Sequence, residues 1–537
     1  MITRRTVLKA GLAASAVAGA SSTLSGCGLD GGGPVNSTES SAGRIQNSTA
    51  TLPQPFTLPF RVPDVLAPVR QDATTDYYEI TQRAADVTIL PDTTTQVWGY
   101  EGTFPGPTIV SRRGRRVIVR HRNELPVPTV VHLHGGVTAP EHDGFPADLL
   151  LPEGWDSPEE HNSDSGHNNH DDDHDTSGYA GVGGVAQVQR DYVYELDQPA
   201  ATLWYHDHRM DFTGPQVWRG LAGFHLHHDD EEQALGLPTG ERDVPLMITD
   251  RTFAKDGSMP YPSLDPTLRE QHGVTDDFHS GVLGDCILVN GVPWPLMEVA
   301  AVRYRFRILN ASNARRYRLR LEDGPDFIQV GSDGGLLNAP LTHKELDISQ
   351  AERFDVVVDL SEHSVGDEIT LVNDHGDDGT DLVMRFVVTR TENDDSSVPD
   401  RLADLEQLSE DDAVVEREFV FERTSEDGTM MWTVNGEPWT PDSIAARPVH
   451  GAVEKWRIRA QNVEHPFHVH LAPFQVLGRD GNNPGDFDSG WKDTVNLDNG
   501  AYVDILVRFE GFRGVYVFHC HNLEHEDMMM MANFEVV

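Results

Sequence analysis

The sequence predicts an all-β fold made of several β-sandwich domains. Two observations carry that prediction. Short runs of branched and aromatic residues recur along the chain, punctuated by Pro, Gly, Asn and Asp. No long window repeats its apolar residues at helical spacing. The runs at 116–120 (RVIVR), 129–134 (TVVHLH), 354–358 (FDVVV), 502–507 (YVDILV) and 515–518 (VYVF) have the pattern of antiparallel sandwiches. A length of 537 residues, 38% of them hydrophobic, provides for about three such domains.

From the N-terminus, residues 1–27 read MITRRTVLKAGLAASAVAGASSTLSGC. Arg4 and Arg5 precede an apolar stretch at 11–20 that is too short to span a bilayer as a mature helix. The segment is read as a twin-arginine secretory signal. Its end, LSGC, resembles a lipobox with Cys27 as the lipidated residue. The expected location is therefore extracellular or at the cell surface, with the membrane touched only through a lipid on Cys27. Residues 28–55 are read as a flexible tether, rich at first in Gly, Ser, Thr and Asn. Two acid-rich stretches poor in apolar residues, 229–243 and 391–413, divide the remainder into 56–230, 231–395 and 396–537. A third, 156–176, is read as an acidic surface loop within the first piece. Its four histidines (His161, His167, His170, His174) leave copper capture open.

The formal charge is −44, with 42 Lys+Arg against 86 Asp+Glu. Only five of the basic residues are lysine. So large an acidic excess excludes a nucleic-acid partner, which needs basic patches. Because the acids lie among strand-like apolar runs, they read as a folded surface adapted to high salt, where ions screen the self-repulsion. Beyond Cys27 the chain has Cys286 and Cys520. Cys286 reads as a small buried hydrophobe. A disulfide between the two stays open at this stage, but the chain is no disulfide scaffold.

The chemistry lies in four histidine clusters: His132-Leu133-His134, His206-Asp207-His208, His465-Pro466-Phe467-His468-Val469-His470, and His519-Cys520-His521 followed by His525 and Met530. On a strand, residues i and i+2 share a face, so each HxH pair can chelate. A thiolate, two imidazoles and a weak axial thioether form the ligand set of a blue-copper electron-transfer site. Cys520, His465, His525 and Met530 supply it. Zinc also takes Cys and His, but it has no use for the methionine or for eight further histidines. His519 and His521 alternate to the face opposite Cys520. A one-electron site would then lie one residue away from a multi-ion cluster.

These motifs resemble those of the multicopper oxidases over about residues 75–537. VVHLHGG…DGFP (130–146), WYHDH (204–208), HPFHVHL (465–471) and HCHNLEHED (519–527) are similar to the laccases of the spore-coat laccase and bilirubin oxidase type. The signal and the acidic composition fit a haloarchaeal laccase. The resemblance implies three cupredoxin-like Greek-key sandwiches holding four copper ions. It implies His465, Cys520, His525 and Met530 at the type 1 ion, and His132 and His468 at the type 2 ion. His134, His206, His208, His470, His519 and His521 fall to the type 3 pair. Asp143 and Glu526 match acids that resemble the family's proton-relay pair. Tyr205 and Asp207 read as framework, and Trp204 as packing. The partners implied are O2 and a reducing small molecule, phenolic, aromatic or tetrapyrrole, with a monomer favoured. The alternatives are a cuprous oxidase serving copper tolerance and, third, a non-catalytic copper-binding surface protein.

The acidic composition predicts that the protein loses structure at low salt. Circular dichroism across a salt series checks this, and full stability at low salt counts against a halophilic surface.

Overall fold

The computed structural model describes residues 43–155, 182–426 and 429–537. The signal segment, Cys27 and the loop 156–176 lie outside them. Among the described residues strands dominate; six larger sheets assemble into three facing pairs, and two small two-stranded sheets lie beside them.

In the first pair, a five-stranded sheet that includes Thr75–Val87 and Arg116–Asn123 faces a four-stranded sheet that includes Val131–His134 and Ala201–Asp207. Arg116–Asn123 shows how the sequence builds such a layer. Its residues alternate strictly, with Val117, Val119, His121 and Asn123 buried. Val117 and Val119 meet Val131, Leu133 and Leu203 of the other sheet in one core. In the second pair, a seven-stranded sheet contributes Leu246, Phe306 and Val356, and a five-stranded sheet contributes Leu319, Ile369 and Phe386. In the third pair, Phe419, Trp456 and Ile505 of one five-stranded sheet pack on Phe467, Phe518 and Phe534 of the other.

The sheets differ from the antiparallel expectation in one respect. Each of the six contains one parallel pair, among them Thr75–Val87 with Arg116–Asn123, and Ala413–Glu426 with Val453–Ala460. Side-chain alternation reports which face of a strand is buried. It carries no information about the direction of the neighbouring strand.

The expected tether is also shorter than 28–55. Arg44–Gln46 pairs in parallel with Val282–Gly284. Ser48 then donates to Asp285 through both its N–H (2.6 Å) and its hydroxyl (2.5 Å). Ala50, Leu52 and Phe56 pack against the core of the second pair. Cys286 and Cys520 are both buried and unpaired, which closes the question of a disulfide between them.

Two strand pairings position the histidines. In the first pair of sheets His206 lies opposite His132. In the third pair His465–Val469 runs antiparallel to Gly514–Cys520, with His468 opposite His519. The short helix Leu523–Asp527 follows, and Asn522 caps it by accepting the His525 N–H.

Phe518 lies two residues before Cys520 and is fully buried against Phe419, Trp456 and Phe467. Phe518→Ala should cost about 3–5 kcal/mol of stability. Denaturant unfolding followed by fluorescence measures this.

Candidate metal centre

The strand Gly514–Cys520 and the residue after it divide their side chains between two places. Cys520 Sγ lies 3.4 Å from His465 Nδ1 and 3.5 Å from His525 Nδ1, and the two nitrogens are 3.1 Å apart. The centre of that triangle is about 2 Å from each corner, the length of a metal–imidazole bond. His465 is oriented by its Nε2–H, which donates to the Gln461 carbonyl (3.1 Å). Met530 is buried beside them. Its N–H donates to the His525 carbonyl, and its own carbonyl accepts from the Cys520 N–H.

His519 and His521 point away from this triangle. His519 Nε2 is 3.2 Å from His208 Nε2. The His521 ring lies 5.2 Å from that of His134 and 5.4 Å from that of His206. The remaining rings complete one cluster. His132 stacks on His470 with centroids 3.7 Å apart, and His134 stacks on His468 at 3.8 Å. Ligand nitrogens of His132, His134 and His206 lie within 4.8 Å of one another, as do those of His208, His470 and His519. All eight rings are buried. The structure thus gathers the twelve residues expected as ligands into two places, one around Cys520 and one across the junction of the first and third sheet pairs.

The donor set fits copper. Burial holds His132, His134, His468, His470, His521 and His525 far below the usual imidazole range, with His206 at about 3 and His208 and His465 at about 4. Neutral imidazoles are what a metal requires. Seven of the cluster rings carry a buried nitrogen with no hydrogen-bond partner: His132, His134, His206, His208, His468, His470 and His521. Such nitrogens are costly unless something binds them. Burial pushes the Cys520 thiol up, so a cation must displace its proton before it can ligate.

Asp143 and Glu526 both touch the cluster. The Nδ1–H of His470 donates to Asp143 Oδ2 (2.6 Å), and Thr138 donates its hydroxyl to Oδ1 (3.1 Å). Burial raises the Asp143 carboxyl well above its usual range. Glu526 accepts from the Thr213 hydroxyl (2.8 Å) and lies 3.2 Å from His519 Nδ1. Burial pushes Glu526 up, but His208 and His519, when protonated, outweigh this and hold it at about 2. Asp207 accepts from the N–H groups of Val130 and Arg209, Tyr205 donates to the Pro107 carbonyl, and Trp204 stacks on His206.

Sequence reasoning did not single out three residues here. Trp432 covers the Cys520 site, its ring 3.9 Å from that of His525, and its indole N–H is tied to the His279 carbonyl. Asp493 and Arg353 lie against the cluster from another side. None of the three falls in a histidine motif, and only the fold brings them near one. A cavity of about 330 Å³ leads from exposed Asp197, Glu406 and Glu510 to buried His132 and His470.

Multicopper oxidase family models match residues 81–160, 254–378 and 413–537. The chain is 35% identical to the laccase of Bacillus subtilis over 530 residues, covering 88% of this chain and 97% of that one. It is 36% identical to the laccase of Haloferax volcanii, covering 95% and 89%. The crystal structure of a laccase from Pediococcus acidilactici superimposes with a TM-score of 0.75 at 29% identity, covering 92% and 95%. With its three cupredoxin-like sandwiches and its copper-suited histidine cluster, this chain belongs to the multicopper oxidase family and is a laccase-like copper oxidoreductase that uses O2.

Proposed function

We propose that the protein oxidises phenolic, aromatic or tetrapyrrole donors one electron at a time beside Cys520. The division of one strand between two metal-suited sites, with Cys520 on one side and its neighbours His519 and His521 on the other, carries the one-electron part of this reading, and the similarity to laccases supports the donor class. In this reading His465, Cys520, His525 and Met530 hold the type 1 ion. His132 and His468 hold the type 2 ion. His134, His206, His208, His470, His519 and His521 hold the type 3 pair. Copper held by these residues would supply one-electron oxidation at the thiolate site and reduction of O2 to water at the cluster. The chain's own part is to orient the imidazoles, keep the sites dry and deliver the four protons that O2 reduction consumes. Asp143 and Glu526 serve as the relay, each in hydrogen-bond reach of a cluster histidine and of a hydroxyl. The cavity that reaches His132 and His470 serves O2 and water.

One observation favours a second reading, oxidation of Cu(I). Met430, Met431, Met528 and Met529 are partly exposed around Trp432, and thioethers favour cuprous ion. The twin-arginine segment and LSGC support export with a surface anchor at Cys27. No described helix is long and apolar enough to cross a membrane.

O2 uptake by the copper-loaded protein in high salt separates the two readings. The organic-donor reading predicts fast uptake with a phenol and little with Cu(I), and the reverse rate order makes the protein a cuprous oxidase. Asp143→Asn and Glu526→Gln should each lower turnover by about 10²-fold or more. Unchanged turnover and an unchanged pH profile would remove the relay role.

A further inference from the structure

We infer that Asp493, clamped by Arg353, is a positioning residue for the copper cluster and the counterpart of Asp143 across the junction of the first and third sheet pairs. This inference rests on the copper-cluster reading above.

The two aspartates repeat one arrangement. The carbonyl of Asp143 accepts from His132 Nδ1 (2.6 Å), a histidine of its own sandwich, and its carboxylate accepts from His470 of the other. The carbonyl of Asp493 accepts from His468 Nδ1 (2.9 Å), again in its own sandwich, and its carboxylate Oδ1 accepts from His134 Nε2 (3.0 Å) of the other. The four rings held in this way form the two face-to-face stacks, His132 on His470 and His134 on His468.

A ring that donates through one nitrogen offers the other to a metal. The unpartnered atoms follow that rule: Nε2 of His132, His468 and His470, but Nδ1 of His134. The carboxylate of Asp493 is what turns His134 the opposite way from those three. Asp493 lies close enough to His134 and His468 to be counted a ligand itself, yet both of its oxygens are taken. Arg353 donates to Oδ1 (2.6 Å) and to Oδ2 (2.5 Å), and Thr494 adds its hydroxyl to Oδ1 (2.9 Å).

Arg353 is fully buried, and each of its five N–H groups has an acceptor. Besides the two carboxylate oxygens, these are the carbonyls of Thr202 (2.9 Å), Ala351 (3.0 Å) and Asp333 (3.0 Å). It lies on the strand Arg353–Asp359 of the seven-stranded sheet. The middle sandwich supplies no imidazole to the cluster, and through this guanidinium it fixes one. Gly135, directly after His134, leaves the room. It has φ +82°, and a Cβ there would lie 2.7 Å from the Arg353 guanidinium and 3.1 Å from Asp493 Oδ2.

The test uses the full copper-loaded chain. EDTA competition followed by elemental analysis measures cluster affinity, electron paramagnetic resonance reads the cluster environment, and blue absorption reports the Cys520 site. Melting of the metal-free variants checks folding. Asp493→Asn puts an amide N–H₂ against a guanidinium donor. It should weaken cluster copper by about 10–100-fold and alter the cluster's resonance, with blue absorption unchanged. Arg353→Lys, with three donors in place of five, should shift both readouts in the same direction. Wild-type affinity and an unchanged spectrum in Asp493→Asn overturn the inference; if that variant does not fold, the same result in Arg353→Lys does so. A wild-type chain that holds no copper beyond the blue ion removes the cluster reading itself, and this inference with it.

Discussion

A β-strand sends consecutive side chains to opposite faces, and the site depends on that alternation across His519, Cys520 and His521. The sulfur goes to one place and the two imidazoles to another, so the sites are distinct yet joined by a single residue of backbone on either side. Burial then defines what each place will accept. It keeps the His521 imidazole neutral and the thiol protonated, and it leaves a set of ring nitrogens without partners. A bound cation offsets that desolvation.

The cluster lies where sheets of the first and third pairs meet, and the hydrogen bonds that orient its rings cross that junction in both directions. Asp143 reaches from the first to His470, and Asp493 from the third to His134. The second pair joins through Arg353, a buried cation that Asp333 and Asp493 neutralise. A lone buried guanidinium would be costly, and five satisfied donors make it rigid. All three sandwiches thus contribute to one small volume, although only two carry its histidines.

The histidines and Cys520 that gather at the two places were legible in the sequence because their signal is local. HxH spacing, a cysteine between histidines and a methionine five residues past His525 can be read within a few residues of chain. The strand character of those segments was legible for the same reason. Strand direction was not, since alternation is the same in parallel and antiparallel pairs, and the mixed sheets emerged only with the fold. The tether was read too long because composition changes gradually, whereas Ser48 is held by Asp285, distant in sequence. Asp493 and Arg353 were out of reach for a related reason. Asp493 is 359 residues from His134, and it is one of 86 acidic residues as Arg353 is one of 42 basic ones. Trp432 lies in an ordinary strand-like run, and its place over His525 depends on how Thr429–Val434 pairs with Ala413–Glu426.

The most direct measurement of the account is the copper content and absorption of Cys520→Ser. If one strand serves two separate sites, this variant loses the blue absorption and the ion beside it while keeping the cluster copper and its magnetic signature. Blue absorption that survives the substitution, or cluster copper lost together with it from a folded protein, would contradict the division of the strand on which the account rests.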